Sequence, residues 1–264
     1  MTYGFIGLGN MATAIIGGMV ASPAFRGAEI VGYDPDGEKC SRLAEQYGVK
    51  PLASEREVLE SDVVVLAVKP QVLPDLLPTL APHIAPDTLV LTIAAGKQLS
   101  FYEGILGKGV PVVRAMPNIN ALVASATVAI CGGSSASAAH MEIASRLFST
   151  VGRVFVLEEE QFSAFIGISG SAVAFAYLYM DAVSRAGAEN GIDPKTALEI
   201  TASAVRGSGK MVQKGGIDPQ TLVKMVCSPG GTTIEGVSTL REGGFEDLLH
   251  RAVQAVVDKD KRLQ

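Results

Sequence analysis

Two regimes of hydrophobic patterning divide the chain. From residue 1 to about 160, short apolar runs alternate with stretches of helical period. Runs at Tyr3–Gly7, Glu29–Tyr33, Asp62–Val68, Thr88–Ala94, Val110–Ala115, Ala126–Cys131 and Arg153–Leu157 are rich in Val and Ile and bounded by Gly, Pro or Asp, and they predict strands. Helical spacing predicts helices over 10–21, 37–47, 70–82 and 135–149. Alternation of this kind implies crossover connections and a mostly parallel sheet. V-V-V-L-A-V and L-V-L-T-I-A are apolar on both faces, as strands covered by helices on each side must be.

Beyond about residue 160 the strand signal stops. Ser171–Asn190 is long and apolar, and Pro194–Lys214 has apolar residues at helical spacing. In Gly191-Ile192-Asp193-Pro194 and again in Gly216-Ile217-Asp218-Pro219, an Asp stands at an N-cap position with Pro at the first helical position, which predicts two helix starts. Residues 244–264 predict a last helix ending in charge. The expected plan is an α/β domain over 1–160 and an all-helical domain over 161–264. Helices this apolar have faces to cover, either in a core or against a second copy.

Composition narrows the class. The chain has 264 residues, 48% of them apolar, and a net charge of -5. No basic stripe points to nucleic acid. Cys40, Cys131 and Cys227 are far apart and form no C-x-x-C pattern, which suits a reducing cytoplasm and no structural metal. The glycine-rich pattern begins at Tyr3, leaving no room for a signal peptide, and no apolar run is expected to reach the ~18 residues of a membrane helix.

The chemistry starts at once. Gly7, Gly9 and Ala12 in G-F-I-G-L-G-N-M-A form G-x-G-x-x-A between a strand and a helix, with Ile6, Asn10 and Met11 beside them. The first glycine allows a tight turn, and the second lets backbone approach a pyrophosphate. The small third residue packs helix on strand, and the helix N-terminus offers free N–H groups and a positive dipole. These marks predict a Rossmann-type doubly wound parallel sheet that binds NADP(H) or NAD(H). Asp34, at the end of the next strand, favours a ribose 2′-hydroxyl and repels a 2′-phosphate. Lys39 and Arg42 follow in the next helix and offer an offset, so the preference between the two cofactors stays open. Further loops fall at strand C-terminal ends: Ala67-Val68-Lys69-Pro70, Ala94-Ala95-Gly96 and Arg114-Ala115-Met116-Pro117-Asn118. Lys69 is placed for a ribose or phosphate, Ala94 to Gly96 for the face of a nicotinamide ring, and Asn118 as a donor to ligand.

In the helical half, C-S-P-G-G-T-T-I-E-G at 227–236 stands out. Gly230 and Gly231 are expected to expose consecutive N–H groups as a nest, and the loop leads into a helix at 232–241; both suit a carboxylate. Ser228 and Thr232 add hydroxyl donors. The alternative is ordinary helix capping by Ser and Thr around a Gly turn. No Ser/His/Asp arrangement or metal cluster is evident. The stretch G-I-S-G-S-A-V-A-F-A-Y-L-Y-M-D lacks the Lys that β-hydroxyacid dehydrogenases carry in the matching helix. A reductase without a strong acid or base needs an already electrophilic substrate, such as a protonated imine.

These residues carry a resemblance. F-I-G-L-G-N-M-A, A-V-K-P, A-A-G, R-A-M-P-N, S-G-S, G-S-G-K-M and above all C-S-P-G-G-T-T-I-E-G resemble the Δ1-pyrroline-5-carboxylate reductase family over nearly the whole length. The resemblance implies a C-terminal helical dimerisation domain that intertwines with a second subunit, giving a dimer or an assembly of dimers. It implies reduction of the C=N bond of 1-pyrroline-5-carboxylate to L-proline by NAD(P)H, the last step of proline biosynthesis, in an active site shared between subunits. It also implies that Ser228, Gly230, Gly231, Thr232 and Thr233 hold the substrate, with Thr233 beside the imine nitrogen and the imine carbon about 3–3.5 Å from the hydride donor. Three departures stand out. Ile119-Asn120 replaces the usual Thr-Pro after Asn118, and Ala172-Val173-Ala174-Phe175 replaces Gly-Pro-Ala-Tyr. Asp34 stands where NADPH-using relatives often have Ser. Two alternatives remain on the residues alone: a reductase of another cyclic imine acid, and a dinucleotide-binding sensor without catalysis.

Overall fold

The computed structural model describes residues 1–263 and resolves into two compact units. The first comprises residues 1–170 together with 256–263, and the second residues 171–255.

In chain order, β1 (Thr2–Ile6) leads through a glycine turn into α1 (Asn10–Ala21), followed by β2 (Glu29–Tyr33), α2 (Gly37–Tyr47), the two-residue β3 (Lys50–Pro51) and α3 (Glu55–Val58). Next come β4 (Val63–Leu66), α4 (Leu73–Leu80), β5 (Leu89–Thr92), α5 (Leu99–Leu106), β6 (Val112–Pro117), β7 (Ala126–Gly132), α6 (Ala138–Phe148) and β8 (Gly152–Val156). A single eight-stranded sheet results, ordered β3-β2-β1-β4-β5-β6-β7-β8. Every pairing is parallel except β6 with β7.

One antiparallel step within the expected mostly parallel sheet has its cause in chain length. Residues 118–125 hold only a 3₁₀ turn (Ile119–Val123) and Ala124 at φ +50°. A parallel crossover needs roughly a dozen residues or more. Helix α5 has a weak signal in the sequence, because L-S-F-Y-E-G-I-L is a short apolar stretch with Gly104 inside it and Gly107 after it.

Side chains of alternating strand positions fill two cores. Tyr3, Phe5, Val63, Val65, Leu91 and Val113 face α1, α2 and α6. Ile6, Val64, Leu66, Val90 and Val112 face α4 and α5, joined by Phe162 and Phe165 of α7 (Phe162–Phe165). Chain order reverses between β1 and β4, so the ligand crevice of an open α/β sheet lies at their C-terminal ends.

After α7 the backbone widens into a π-turn, Ile166–Ser171, and then runs into α8 (Ala172–Glu189). This corrects the membrane-length expectation: residues Glu159–Glu189 are helical for 31 residues, long and apolar enough by length and composition to cross a membrane. Ser and Gly in S-G-S interrupt the apolar run in sequence, but the π-turn carries the helix through them.

The second unit contains α8, α9 (Pro194–Gly215), α10 (Pro219–Val226), α11 (Thr232–Glu242) and most of α12 (Phe245–Leu263). Asp193 and Asp218 cap α9 and α10 through Thr196 and Thr221 with Pro at N1. Helices α8 and α9 pack at a close approach, where a Cβ on Gly187 would sit 3.5 Å from the Ala197 Cβ. Little else here is buried. Leu178, Ile200, Met225 and Val226 are each more than half exposed, so the apolar faces foreseen in sequence remain uncovered in one chain.

Candidate active site

The nucleotide end is built from the turn between β1 and α1. Gly7 sits at φ +93°, and a Cβ there would lie 2.8 Å from the Ala67 carbonyl oxygen, so both conformation and space demand glycine. Its N–H donates to the Tyr33 carbonyl (2.8 Å), and the Ala67 N–H donates to the Ile6 carbonyl (2.8 Å). Strands β1, β2 and β4 are thereby locked at their C-terminal ends. Gly9 is different: an added Cβ there meets no protein atom within 4 Å. It is the N-cap of α1, and no side chain caps that helix. The first-turn amides, including those of Asn10, Met11 and Ala12, are left for an anion, with the positive end of α1 behind them. Ala12 is buried against the sheet, as the third small residue of the motif requires. A pyrophosphate fits this cradle, since the open side of Gly9 lies where a ligand's backbone approach would need room.

Asp34 closes the turn. Its Oδ2 accepts from the Leu8 N–H (2.8 Å), and its Oδ1 accepts from the Asp36 N–H (3.0 Å) and from Lys39 Nζ (3.2 Å). Burial pushes its pKa upward, but the Leu8 and Asp36 amides and the Lys39 ammonium outweigh this and hold the carboxyl below its ordinary value. The Lys39 ammonium is correspondingly raised, chiefly by its hydrogen bond to Asp34.

Along the same sheet edge, Ala67 and Val68 are half-buried and Lys69 is exposed beside half-buried Pro70. Ala94 is buried, Ala95 exposed, and Gly96 turns the chain at φ +70°. Asn118, expected as a ligand donor, has partners within the protein. It is buried, its Nδ2 donates to the Ser169 carbonyl (3.4 Å) and hydroxyl (3.3 Å), and its Oδ1 accepts from the Thr127 N–H (3.3 Å). The amide is therefore occupied in fixing the π-turn to the end of β6.

Sequence reasoning passed over a buried ion pair at this edge. Arg114 of β6 is fully buried, and its Nη1 donates to Glu159 Oε1 at 2.8 Å. The same oxygen accepts from the Leu99 N–H (2.8 Å), the first residue of α5 after the Ala94–Gly96 turn. The guanidinium also lies over the Phe162 ring, 4.6 Å from its centroid. Nearby, Thr92 donates to Tyr102 Oη (2.7 Å), and burial pushes the Tyr102 phenol up to about 12. A lone Arg in V-V-R-A-M was a signal, because a charge in a doubly covered strand needs a partner. Its partner lies 45 residues on, where no local spacing points.

The second unit holds the hydroxyl-rich loop. Gly230 is at φ +67°, and the Gly231 N–H donates to the Ser228 carbonyl (3.0 Å), closing a tight turn. The expected nest of consecutive free glycine amides is thus not formed, because the turn consumes one of them. Gly231 becomes the N-cap of α11 in extended backbone, with no side chain capping the helix. Capping by Ser or Thr is excluded by that observation, and the first-turn amides of α11 are left without a side-chain acceptor. Ser228, Thr232 and Thr233 are all exposed. Thr233 also lines a cavity of about 550 Å³ in this unit, with Tyr179, Ser208, Met211, Val223 and Cys227 among its walls. Among the described residues no cluster of three or more His, Cys, Asp or Glu is arranged to hold a metal.

A Rossmann-type nucleotide cradle on one unit, with an uncapped, hydroxyl-bearing helix start on a separate helical unit, defines a nicotinamide-dependent oxidoreductase of two-domain plan. Comparison with known proteins is specific. Residues 159–263 match the family described as pyrroline-5-carboxylate reductase dimerisation, and residues 2–96 match NADP oxidoreductase, coenzyme F420-dependent. Pyrroline-5-carboxylate reductase of Escherichia coli is 34% identical over 261 residues, covering 98% of this chain and 97% of that protein. That of Pseudomonas aeruginosa is 36% identical over 263 residues, covering 98% and 95%. The solved structure of a pyrroline-5-carboxylate reductase from Coxiella burnetii superposes with a TM-score of 0.92 at 30% identity, covering 99% and 98%. The chain belongs to the pyrroline-5-carboxylate reductase family and is an NAD(P)H-dependent oxidoreductase.

Proposed function

We propose that the start of α11 binds the carboxylate of 1-pyrroline-5-carboxylate and that Thr233 orients its imine nitrogen. The observation that carries this reading is the uncapped N-terminus of α11 at Gly231, beside three exposed hydroxyls. The first-turn amides and the positive end of α11 attract the carboxylate, while Ser228 and Thr232 add O–H donors. The mostly apolar cavity wall beside Thr233 suits the methylenes of a small ring and limits water near it.

In the first unit, Gly7, Gly9, Asn10, Met11 and Ala12 would hold the cofactor pyrophosphate. Ala67, Val68, Lys69 and Pro70 would flank it, and Ala94 to Gly96 would meet the nicotinamide. Bound there, the reduced cofactor supplies the hydride that turns the imine into the amine of L-proline. Thr233 would keep one imine orientation and relay a proton to the nitrogen. The exposed apolar faces of α8, α9 and α10 support a homodimer or an assembly of dimers, and they account for the apolar stretch 159–189 without a membrane. Three cysteines without a disulfide support a cytoplasmic setting.

Thr233→Ala tests the assignment. Its kcat/KM for the imine substrate is expected to fall about 10- to 100-fold, the scale of one hydrogen bond to a charged group. The melting temperature and the cofactor dissociation constant should stay put, and Thr233→Ser should recover most of the loss. Unchanged kcat/KM in the alanine variant would remove Thr233 from the reaction.

A further inference from the structure

The end of β2 and the start of α2 read Asp34-Pro35-Asp36-Gly37-Glu38-Lys39, a segment in which acids outnumber bases. An ionised carboxylate offers about four lone-pair positions. Two positions on Asp34 Oδ1 are taken, by the Asp36 amide and by Lys39, and one on Oδ2 is taken by the Leu8 amide. One position on Oδ2 remains, which suits a single hydroxyl donor. A phosphate in its place brings only acceptors and more negative charge.

Lys39, which sequence alone offered as an offset, is already committed. Its Nζ lies 3.2 Å from Asp34 Oδ1 and 3.5 Å from Asp36 Oδ2, held between two carboxylates. Arg42 is exposed further along α2, and even with it residues 34–42 carry three acids to two bases. Nor can Asp34 swing aside: it is buried, and moving it would break the Leu8 bond that shapes the glycine turn itself.

We infer that Asp34 is the specificity-determining residue that makes this chain select NADH, with its free adenosine ribose 2′-hydroxyl, over NADPH. The inference rests on the reading of the β1–α1 turn as the nucleotide site. In an open α/β sheet the acid at the end of the second strand faces the ribose 2′ position. Here that acid is pinned, ionised and left with one free acceptor.

Isothermal titration calorimetry of the purified full chain with NADH and with NADPH, without imine substrate, tests this. Wild type is expected to bind NADH about tenfold or more tightly than NADPH, the scale of one net charge near a phosphate. In Asp34→Ser the carboxylate is gone and Lys39 is released, so the ratio should move toward NADPH by at least that factor. Asp34→Asn keeps an acceptor for the Leu8 amide and should move the ratio the same way even if the serine variant loosens the turn. Lys39→Met should shift it further toward NADH. Tighter NADPH binding by wild type, or an unchanged ratio in both Asp34 variants, would overturn the specificity assignment and leave the nucleotide site standing. Binding of neither cofactor would overturn both.

Discussion

Glu159→Ala should cost the fold about 3–5 kcal/mol, the penalty for stranding one partner of a buried ion pair. Arg114 is fully buried, and Glu159 Oε1 is its anion at 2.8 Å. Among the described residues Arg114 Nε and Nη2 have no hydrogen-bond acceptor, so losing Glu159 would leave the guanidinium with only the Phe162 ring for company. The Leu99 amide at the start of α5 would lose its acceptor in the same stroke. For a chain of this size the melting temperature should drop by roughly 10 °C, measured at matched protein concentration because association also stabilises. Glu159→Gln keeps an acceptor but removes the charge, and should fall between alanine and wild type. An alanine variant that melts like wild type would mean that the pair contributes nothing net.

The second large effect separates stability from function within one motif. Gly9→Ala places a methyl where the protein has no atom within 4 Å, at φ −76°, which alanine adopts freely. The fold should be unharmed or gain a few tenths of a kcal/mol from a less flexible unfolded chain. Cofactor affinity should fall about 100-fold, because the methyl occupies the pyrophosphate's approach and displaces it by about 1 Å. Gly7→Ala should do the reverse in order: its φ of +93° and the Ala67 carbonyl at 2.8 Å from the new Cβ predict about 1–3 kcal/mol of destabilisation first, and weaker binding as a consequence. Thermal melts paired with calorimetric titration of the cofactor check both variants. A Gly9→Ala protein that binds as wild type does would show that nothing approaches the backbone there.

The contrast between these two glycines also shows what a sequence carries. G-x-G-x-x-A made the strand, the turn and the helix at residues 2–21 legible because the geometry it encodes is local. Asp193 and Asp218 were legible for the same reason: an N-cap and its Pro are neighbours in the chain. Sheet order could be anticipated as mostly parallel, yet the reversal at β7 hinged on how few residues separate it from β6. Non-local facts stayed hidden. Arg114 needed Glu159, and the pairing of the Asn118 amide with Ser169 and Thr127 had no local signal. At 228–233 the hydroxyls and glycines were visible, but only the structure showed the Gly231 amide closing a turn on Ser228 and α11 beginning without a side-chain cap. The length of the helix at 159–189 was hidden in the sequence because S-G-S breaks the apolar run, whereas the π-turn at 166–171 carries one helix through it.

The most direct test of the account is the loss of reduced-nicotinamide absorbance when the purified protein is mixed with 1-pyrroline-5-carboxylate, with the product identified by chromatography. Rapid oxidation of the cofactor matched mole for mole by L-proline is the predicted result, and cofactor loss and proline formation should slow together when Thr233 is replaced by alanine. Tight cofactor binding with no oxidation would contradict it and favour a dinucleotide sensor; oxidation only with a different cyclic imine acid would move the substrate assignment while keeping the chemistry.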